Sequence, residues 1–263
     1  MTKGPAYYFK VGFRRWRDWR YNMHTDKHEL FFKKLYLHHL NTYFKNAETI
    51  LEIGCQYGRF TLELLKQNKT VFATDIQEKY GSYIQKNTSS KHFHYTNEPI
   101  LKTLEREHPI RYDLIVCLEV LHFVGALEEL LQSSAKLLNP QGQLIFTVRP
   151  KGFFLEKMIS IGNFKTLENN KNTEAQNHTY HSLEETKALL LKYGWELKMS
   201  AGIGLFSGRP EDRKHPLCLP GDLTTQEQEI LFKLETSEEN QHWAINKARY
   251  ILIVATPSIN SNK

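Results

Sequence analysis

From residue 49 onward the chain alternates short β-rich runs with amphipathic stretches, and this alternation constrains its fold more than any other feature. TILEIG (49–54), TVFATD (70–75), KHFHY (91–95), YDLIVCLEV (112–120), QLIFTV (143–148), WELKMSA (195–201) and RYILIVAT (249–256) read as seven strands. YDLIVCLEV is a near-continuous apolar run, the pattern of a strand covered on both faces in a parallel sheet. Helices are expected over about 59–67, 77–87 and 126–138, the last stopped by the turn residues NPQG. Two more open on capping boxes, Ser182 with Glu185 and Thr224 with Glu227, which satisfy free backbone N–H groups at a helix start.

Regular alternation of this kind predicts an α/β fold: a Rossmann-like, doubly wound, seven-stranded and mostly parallel sheet with helices on both faces. Ligands of such sheets sit beyond the carboxyl ends of the strands, at the switch point of the strand order. The rhythm breaks at about 150–181 and about 204–244, and insertions there would overhang that same edge as caps. The expected organisation is an N-terminal arm and helix over 1–45, then the α/β domain over 46–258 with its two cap insertions.

Composition narrows the setting. No apolar run approaches the roughly 18 residues of a membrane span, and MTKGPAYYFKVGFRRW lacks the apolar core of a secretory signal. Cys55, Cys117 and Cys218 are an odd, widely spaced set rather than a disulfide framework, so a reducing, cytoplasmic location is expected. No His/Cys spacing supports a metal site. His38 and His39 have no matching partners and read as helix surface. The net charge of +6 is uneven: residues 1–50 hold ten Lys/Arg against four Asp/Glu, and the remainder is balanced.

The chemistry concentrates around LEIGCQYGRF (51–60). Gly54 and Gly58 lie four apart between a strand and a helix, where glycine allows the turn and lets a ligand approach the backbone. Glu52 is an acid on an otherwise apolar strand. It would disfavour a pyrophosphate at the helix start and would suit a cationic ligand. Asp75 ends the second strand, where an acid can accept both hydroxyls of a ribose or, more plainly, cap a helix. Ile76 beside it offers an apolar face to a base. Gln56 stands where such loops usually carry a third glycine, which a negative φ at that position would accommodate.

LEIGCQYG, ATDI, YDLIVCLEVLHF and LLNPQGQLIFTV, in this order and spacing, closely resemble the class I S-adenosylmethionine-dependent methyltransferases, over about residues 45–200. The small-molecule branch that includes the ubiquinone and menaquinone pathway enzymes is the nearest in pattern. The resemblance implies S-adenosyl-L-methionine as cofactor, with Glu52, Gly54, Cys55, Gln56 and Gly58 facing its methionine part. It implies ribose binding by Asp75, adenine packing on Ile76 and an adenine contact at Asn97. Leu118, between Cys117 and Glu119 at the end of the fourth strand, falls beside the methionine arm.

On the acceptor side the candidates are His122 after the fourth strand, and His178, Tyr180 and His181 in NHTYHS before the capped helix. A loop histidine at the mouth of the site is a candidate base for a substrate hydroxyl. A buried, satisfied histidine or a polar lid segment is the plainer reading of each. Arg149, at the end of the fifth strand, is placed to hold an anionic substrate or to pair with a carboxylate. FKVGFRRWRDWRY (9–21) interleaves four arginines with aromatic residues. It reads as an arm over the active site, as a peripheral membrane contact, or as a nucleic-acid-binding segment.

The expected function is methyl transfer to a small organic acceptor, with O-methylation ahead of N- or C-methylation. An RNA or protein methyltransferase docking through the basic arm, and a non-catalytic cofactor-binding module, stay open.

Overall fold

In a computed structural model, residues 23–164, 179–212 and 217–258 are described. The basic aromatic stretch 9–21 and His178 lie outside them. Helix α1 (Lys27–Asn46) is capped by Asp26, whose side chain accepts from the Glu29 N–H. The sheet follows: β1 (Thr49–Ile53), β2 (Thr70–Asp75), β3 (Phe93–Asn97), β4 (Tyr112–Cys117), β5 (Leu138–Val148), β6 (Trp195–Ile203) and β7 (Tyr250–Pro257). Its order is β3-β2-β1-β4-β5-β7-β6, with β7 antiparallel to both neighbours and the other pairs parallel. The mostly parallel seven-stranded sheet expected from the alternation is therefore observed.

Period-two alternation assigns each strand residue to a face. Leu114 and Val116 join one buried cluster, with Phe32, Leu40 and Leu64. Ile115 and Cys117 join the other, with Leu130 and Phe146. The helices between the strands are α2 (Thr61–Lys66), α3 (Glu78–Lys86), α4 (Ile100–Glu105), α5 (Leu121–Val124), α6 (Leu127–Leu137), α7 (Lys151–Ser160) and α8 (Leu183–Lys192). Both capping boxes form, at Ser182 and at Thr224.

Three boundaries move from their expected places. The fourth strand stops at Cys117 rather than 120, because Glu119 takes a left-handed φ of 59° that no strand continues through. The third strand runs over 93–97 rather than 91–95, paired so that Asn97 meets Asp75. His39 is half-buried rather than on the helix surface, and burial, then its neighbour His38, holds its pKa down at about 4.

The stretch 204–244 carries a short 3-10 turn, then α9 (Thr225–Thr236) and α10 (Glu238–Ala244). One fully buried side chain ties it to the sheet edge. Glu235 of α9 accepts the consecutive backbone N–H groups of Leu205, Phe206 and Ser207 at 2.6, 3.0 and 2.8 Å. These donors have no strand partner, so the carboxylate replaces a missing ladder. Glu235→Ala is expected to cost about 3 kcal/mol by orphaning buried donors, and Glu235→Gln clearly less, since one acceptor oxygen survives. Urea unfolding of the two variants beside the parent chain reads the difference.

Candidate functional site

The loop after β1 is pinned to β2. Gly54 N and Cys55 N both donate to the Thr74 carbonyl, at 2.8 and 3.2 Å. Gly54 and Gly58 have φ of 81° and 77°. A Cβ on Gly54 would lie 2.2 Å from Val120 Cγ2, so glycine is required there on both counts. Gln56 corrects an expectation: its φ is 46°, not negative, so the side chain is carried on a backbone shaped for glycine. The reason is the bond its N–H makes, at 3.0 Å to Asp75 Oδ2. Asp75 also accepts from the backbones of Ile76 and Gln77. Burial nevertheless leads and raises its pKa.

A cleft of about 390 Å³ opens between the ends of β1, β2 and β4, at the switch point of the strand order. Gly54, Gln56, Asp75, Ile76, Glu98 and Phe123 are in its wall. Ile76 is 69% exposed and so presents an apolar surface to whatever enters. Asn97 is not part of the wall: its Nδ2 donates to the Asp75 carbonyl at 2.9 Å. The next residue, Glu98, is buried in the wall and ion-paired with Arg106 at 2.7 Å. The sequence reading missed Glu98 because it ended the third strand two residues early; an acid just past a strand end was the available signal.

Beside the cleft, a space of about 20 Å³, enough for one water, is bounded by Glu52, Cys55, Arg59, Leu118 and Glu119 with Met23. Glu52 accepts from Thr61 Oγ1 at 2.5 Å. Its burial raises the carboxyl pKa to about 7, more than Thr61 and Arg59 lower it. Glu119 meets Arg59 at 2.7 Å and Arg209 at 3.3 Å, with Arg249 at 3.9 Å. Glu29 pairs with Arg59 at 2.6 Å and Arg209 at 2.8 Å, and Asp212 with Arg249 at 2.7 Å. Burial opposes the charge on Glu119, but Arg209, Arg59 and Arg249 hold its pKa well below the carboxylate range. Of this set the sequence reading singled out only Glu119. The arginines lie on three separate elements, and nothing local marks them as neighbours.

The acceptor-side candidates divide. His122 is buried, with its ring 5.4 Å from Tyr250, and is in the wall of neither space. Residues 179–181 form a strap: Thr179 N donates to the His122 carbonyl and His181 N to the Arg149 carbonyl, both at 3.0 Å. The strap brings Tyr180 onto Phe154 and Arg149. His181 is half-buried, and burial, ahead of Glu185, Lys151 and Glu128, lowers its pKa. Arg149 donates to Tyr250 Oη at 3.1 Å. Among the described residues no group of His, Cys, Asp and Glu could hold a metal, and no helix is long and apolar enough to cross a membrane.

Residues 24–198 match a family model described as a methyltransferase domain. Magnesium protoporphyrin IX methyltransferase from Synechocystis PCC 6803, with bound SAH, is similar in structure: 15% identity, 96% of this chain and 97% of that one, TM-score 0.58. A putative S-adenosylmethionine-dependent methyltransferase from Listeria monocytogenes gives 15% identity over 86% and 98%, TM-score 0.54. The N-methyltransferase NodS from Bradyrhizobium japonicum WM9, in complex with SAH, gives 16% over 86% and 85%, TM-score 0.51. No curated protein matches in sequence.

A left-handed φ costs a non-glycine residue about 1 kcal/mol, so Gln56→Gly should melt no lower than the parent chain. Gln56→Val should lose about 1–2 kcal/mol, as a β-branched residue at that φ. For Glu52 the folded pKa lies above the ordinary 4.5, so its stabilising contribution is complete below 4.5 and is lost as pH rises to about 7. At about 1.4 kcal/mol per pH unit over that window, the chain should lose about 3 kcal/mol relative to Glu52→Gln between about pH 4 and pH 8. Denaturant titrations at stepped pH measure it.

Proposed function

Since the chain belongs to the methyltransferase-domain family and its cofactor is S-adenosyl-L-methionine, we propose that it methylates a small organic acceptor, with O-methylation ahead of N- or C-methylation. The observation that carries this reading is the 390 Å³ cleft at the sheet's switch point, walled by a glycine loop on one side and a buried carboxylate on the other. We place the protein in the small-molecule branch that includes the ubiquinone and menaquinone pathway enzymes. Residues 46–258 form the catalytic domain in this proposal. The stretches 150–181 and 204–244 are its cap, and 1–45 is its arm and leading helix.

The cleft fits the cofactor. Gly54 and Gln56 line the cleft beside Asp75, and the left-handed φ of 81° at Gly54, which glycine adopts freely, turns the loop backbone toward the space a ligand would take. Asp75 accepts the two ribose hydroxyls with the oxygen capacity left beyond its backbone bonds. Ile76 packs on the adenine. Asn97 steadies the Asp75 carbonyl, and Glu98 faces the adenine amino group from the wall. Glu52, Cys55, Gln56, Gly58 and Leu118 surround the methionine part, and the Glu52 carboxyl sits where an ammonium group would arrive. A cation there favours the ionised acid, so binding draws a proton off Glu52 and tightens as pH rises toward about 8.

When bound, S-adenosylmethionine supplies a sulfonium methyl already activated for displacement. The chain's own work is to align the acceptor atom with that methyl and to exclude water. A phenol or hydroxyl acceptor loses its proton as the new bond forms. His181 is the candidate base on the strap, since burial lowers its pKa and so favours the neutral imidazole that can accept a proton. His122 is a positioning residue under Tyr250 in this scheme, and His178 a second candidate base.

Calorimetry with S-adenosylhomocysteine tests the reading. We expect micromolar binding to the parent chain and loss of at least 100-fold for Asp75→Ala, about 2.7 kcal/mol for two hydroxyl contacts to a charged group. Absence of binding to the parent chain at high micromolar product would overturn the proposal.

A further inference from the structure

Arg149 follows β5 at the ligand edge of the sheet, two residues beyond Thr147, whose Oγ1 accepts from the Glu119 N–H at 2.7 Å. Its guanidinium lies over the rings of Tyr250, at 5.0 Å, and Phe153, at 5.7 Å. Its hydrogen-bond partners are two phenols, Tyr250 and Tyr180. The buried Nε has no hydrogen-bond partner, and among the described residues no carboxylate lies within ion-pair distance of Arg149. The nearby carboxylate of Asp212 is already engaged: it takes Arg249 Nε at 2.7 Å and the Arg209 N–H at 2.8 Å, with Lys157 at 4.0 Å.

Among the described residues the three buried carboxylates nearby thus serve Arg59, Arg209 and Arg249, with Lys157 at the edge of Asp212, and none of them reaches Arg149 within ion-pair distance. A half-buried guanidinium that keeps only neutral partners carries a desolvation cost that an arriving anion relieves. The fork of a guanidinium matches a planar carboxylate through two parallel N–H···O bonds. Around it Tyr180, Phe154 and Tyr250 form aromatic walls, and Phe123, 57% exposed, stands at the mouth of the cofactor cleft. The 179–181 strap joins these two places, bonding to the His122 carbonyl at one end and to the Arg149 carbonyl at the other.

We infer that the methyl acceptor is a small aromatic carboxylate whose carboxylate group is held by Arg149, with Tyr180 and Tyr250 flanking it. The inference rests on the methyltransferase reading above and deepens it by assigning the acceptor's charge and its anchor. Arg149 then sets specificity by position: it fixes one end of the acceptor at the far side of the strap and leaves the other end directed at the cleft. A neutral acceptor of the same shape would leave the guanidinium buried without its partner.

An NMR titration of the full chain saturated with S-adenosylhomocysteine, using benzoate and benzamide as probes, tests this. Benzoate should bind the parent chain at least tenfold more tightly than benzamide. Arg149→Gln should lose that preference while keeping its affinity for S-adenosylhomocysteine, and Arg149→Lys should retain part of it through charge alone. Equal affinity for the two probes, no benzoate binding to the product-loaded parent chain, or an undiminished preference in Arg149→Gln each overturns the inference. The parent-chain comparison needs no variant, so it decides even if Arg149→Gln does not fold. Failure of S-adenosylhomocysteine to bind the parent chain overturns the methyltransferase reading itself and the inference with it, whereas product binding without benzoate binding overturns the inference alone.

Discussion

The contact between Glu119 and three arginines is the one on which the ligand edge of this protein depends. Arg59 follows the glycine loop, Arg209 belongs to the 204–244 stretch and Arg249 precedes the last strand. Glu29 brings in the first helix, and Asp212 completes the charge balance. Every one of these groups is largely removed from water, so each would be costly alone. Together they are compensated, three cations against three carboxylates. Replacing such a buried set by apolar residues of equal volume is often neutral for stability, but the charged set ties together five segments of the chain. Glu119 is held at a left-handed φ to make it. Strain at such a place is consistent with a site whose geometry is over-determined by its surroundings.

That network also accounts for how the 204–244 stretch is seated. Glu235 secures the backbone of 205–207, and two residues later Arg209 reaches Glu29 and Glu119. A helix of the 204–244 stretch is thereby connected to the wall of the small space beside Glu52 through the Glu235 contacts and the Arg209–Glu119 pair. No apolar contact could transmit position this narrowly, since hydrophobic burial is non-directional. The loop after β1 is governed by similar logic. Gln56 keeps a glycine's backbone because its N–H and the Asp75 carboxylate satisfy one another.

What was legible in the sequence follows from which forces act locally. The seven strands, the capped helices at Ser182 and Thr224, and the pairing of the glycine loop with Asp75 all leave a signature within a few residues, through periodicity, capping chemistry or strand-end position. Strand ends set by tertiary contacts did not. β4 ends early because Glu119 turns out of the strand toward arginines as far as 130 residues away in sequence. For the same reason the choice between Asn97 and Glu98 has no local signature: which of two adjacent residues faces the cleft depends on the register of β3 against β2. The arginine set and Glu235 were invisible because each is an ordinary charged residue on its own element. Only the fold makes them neighbours.

The same division separates the two halves of the proposed site. Most of the cofactor half comes from one loop and two strand ends within residues 52–76, a stretch short enough for its spacing to be diagnostic. The acceptor half draws on Arg149, the 179–181 strap and Tyr250, three segments separated by insertions that carry no motif. Arg149 illustrates why sequence left two readings open there. An arginine at a strand end pairs with a carboxylate or waits for one, and the sequence offers many acids in either stretch that follows. The fold commits the nearest buried acids, Glu29, Glu119 and Asp212, to Arg59, Arg209 and Arg249. Among the described residues those acids are engaged without Arg149, whose hydrogen-bond partners are the neutral phenols of Tyr180 and Tyr250, an arrangement that an anionic ligand would complete.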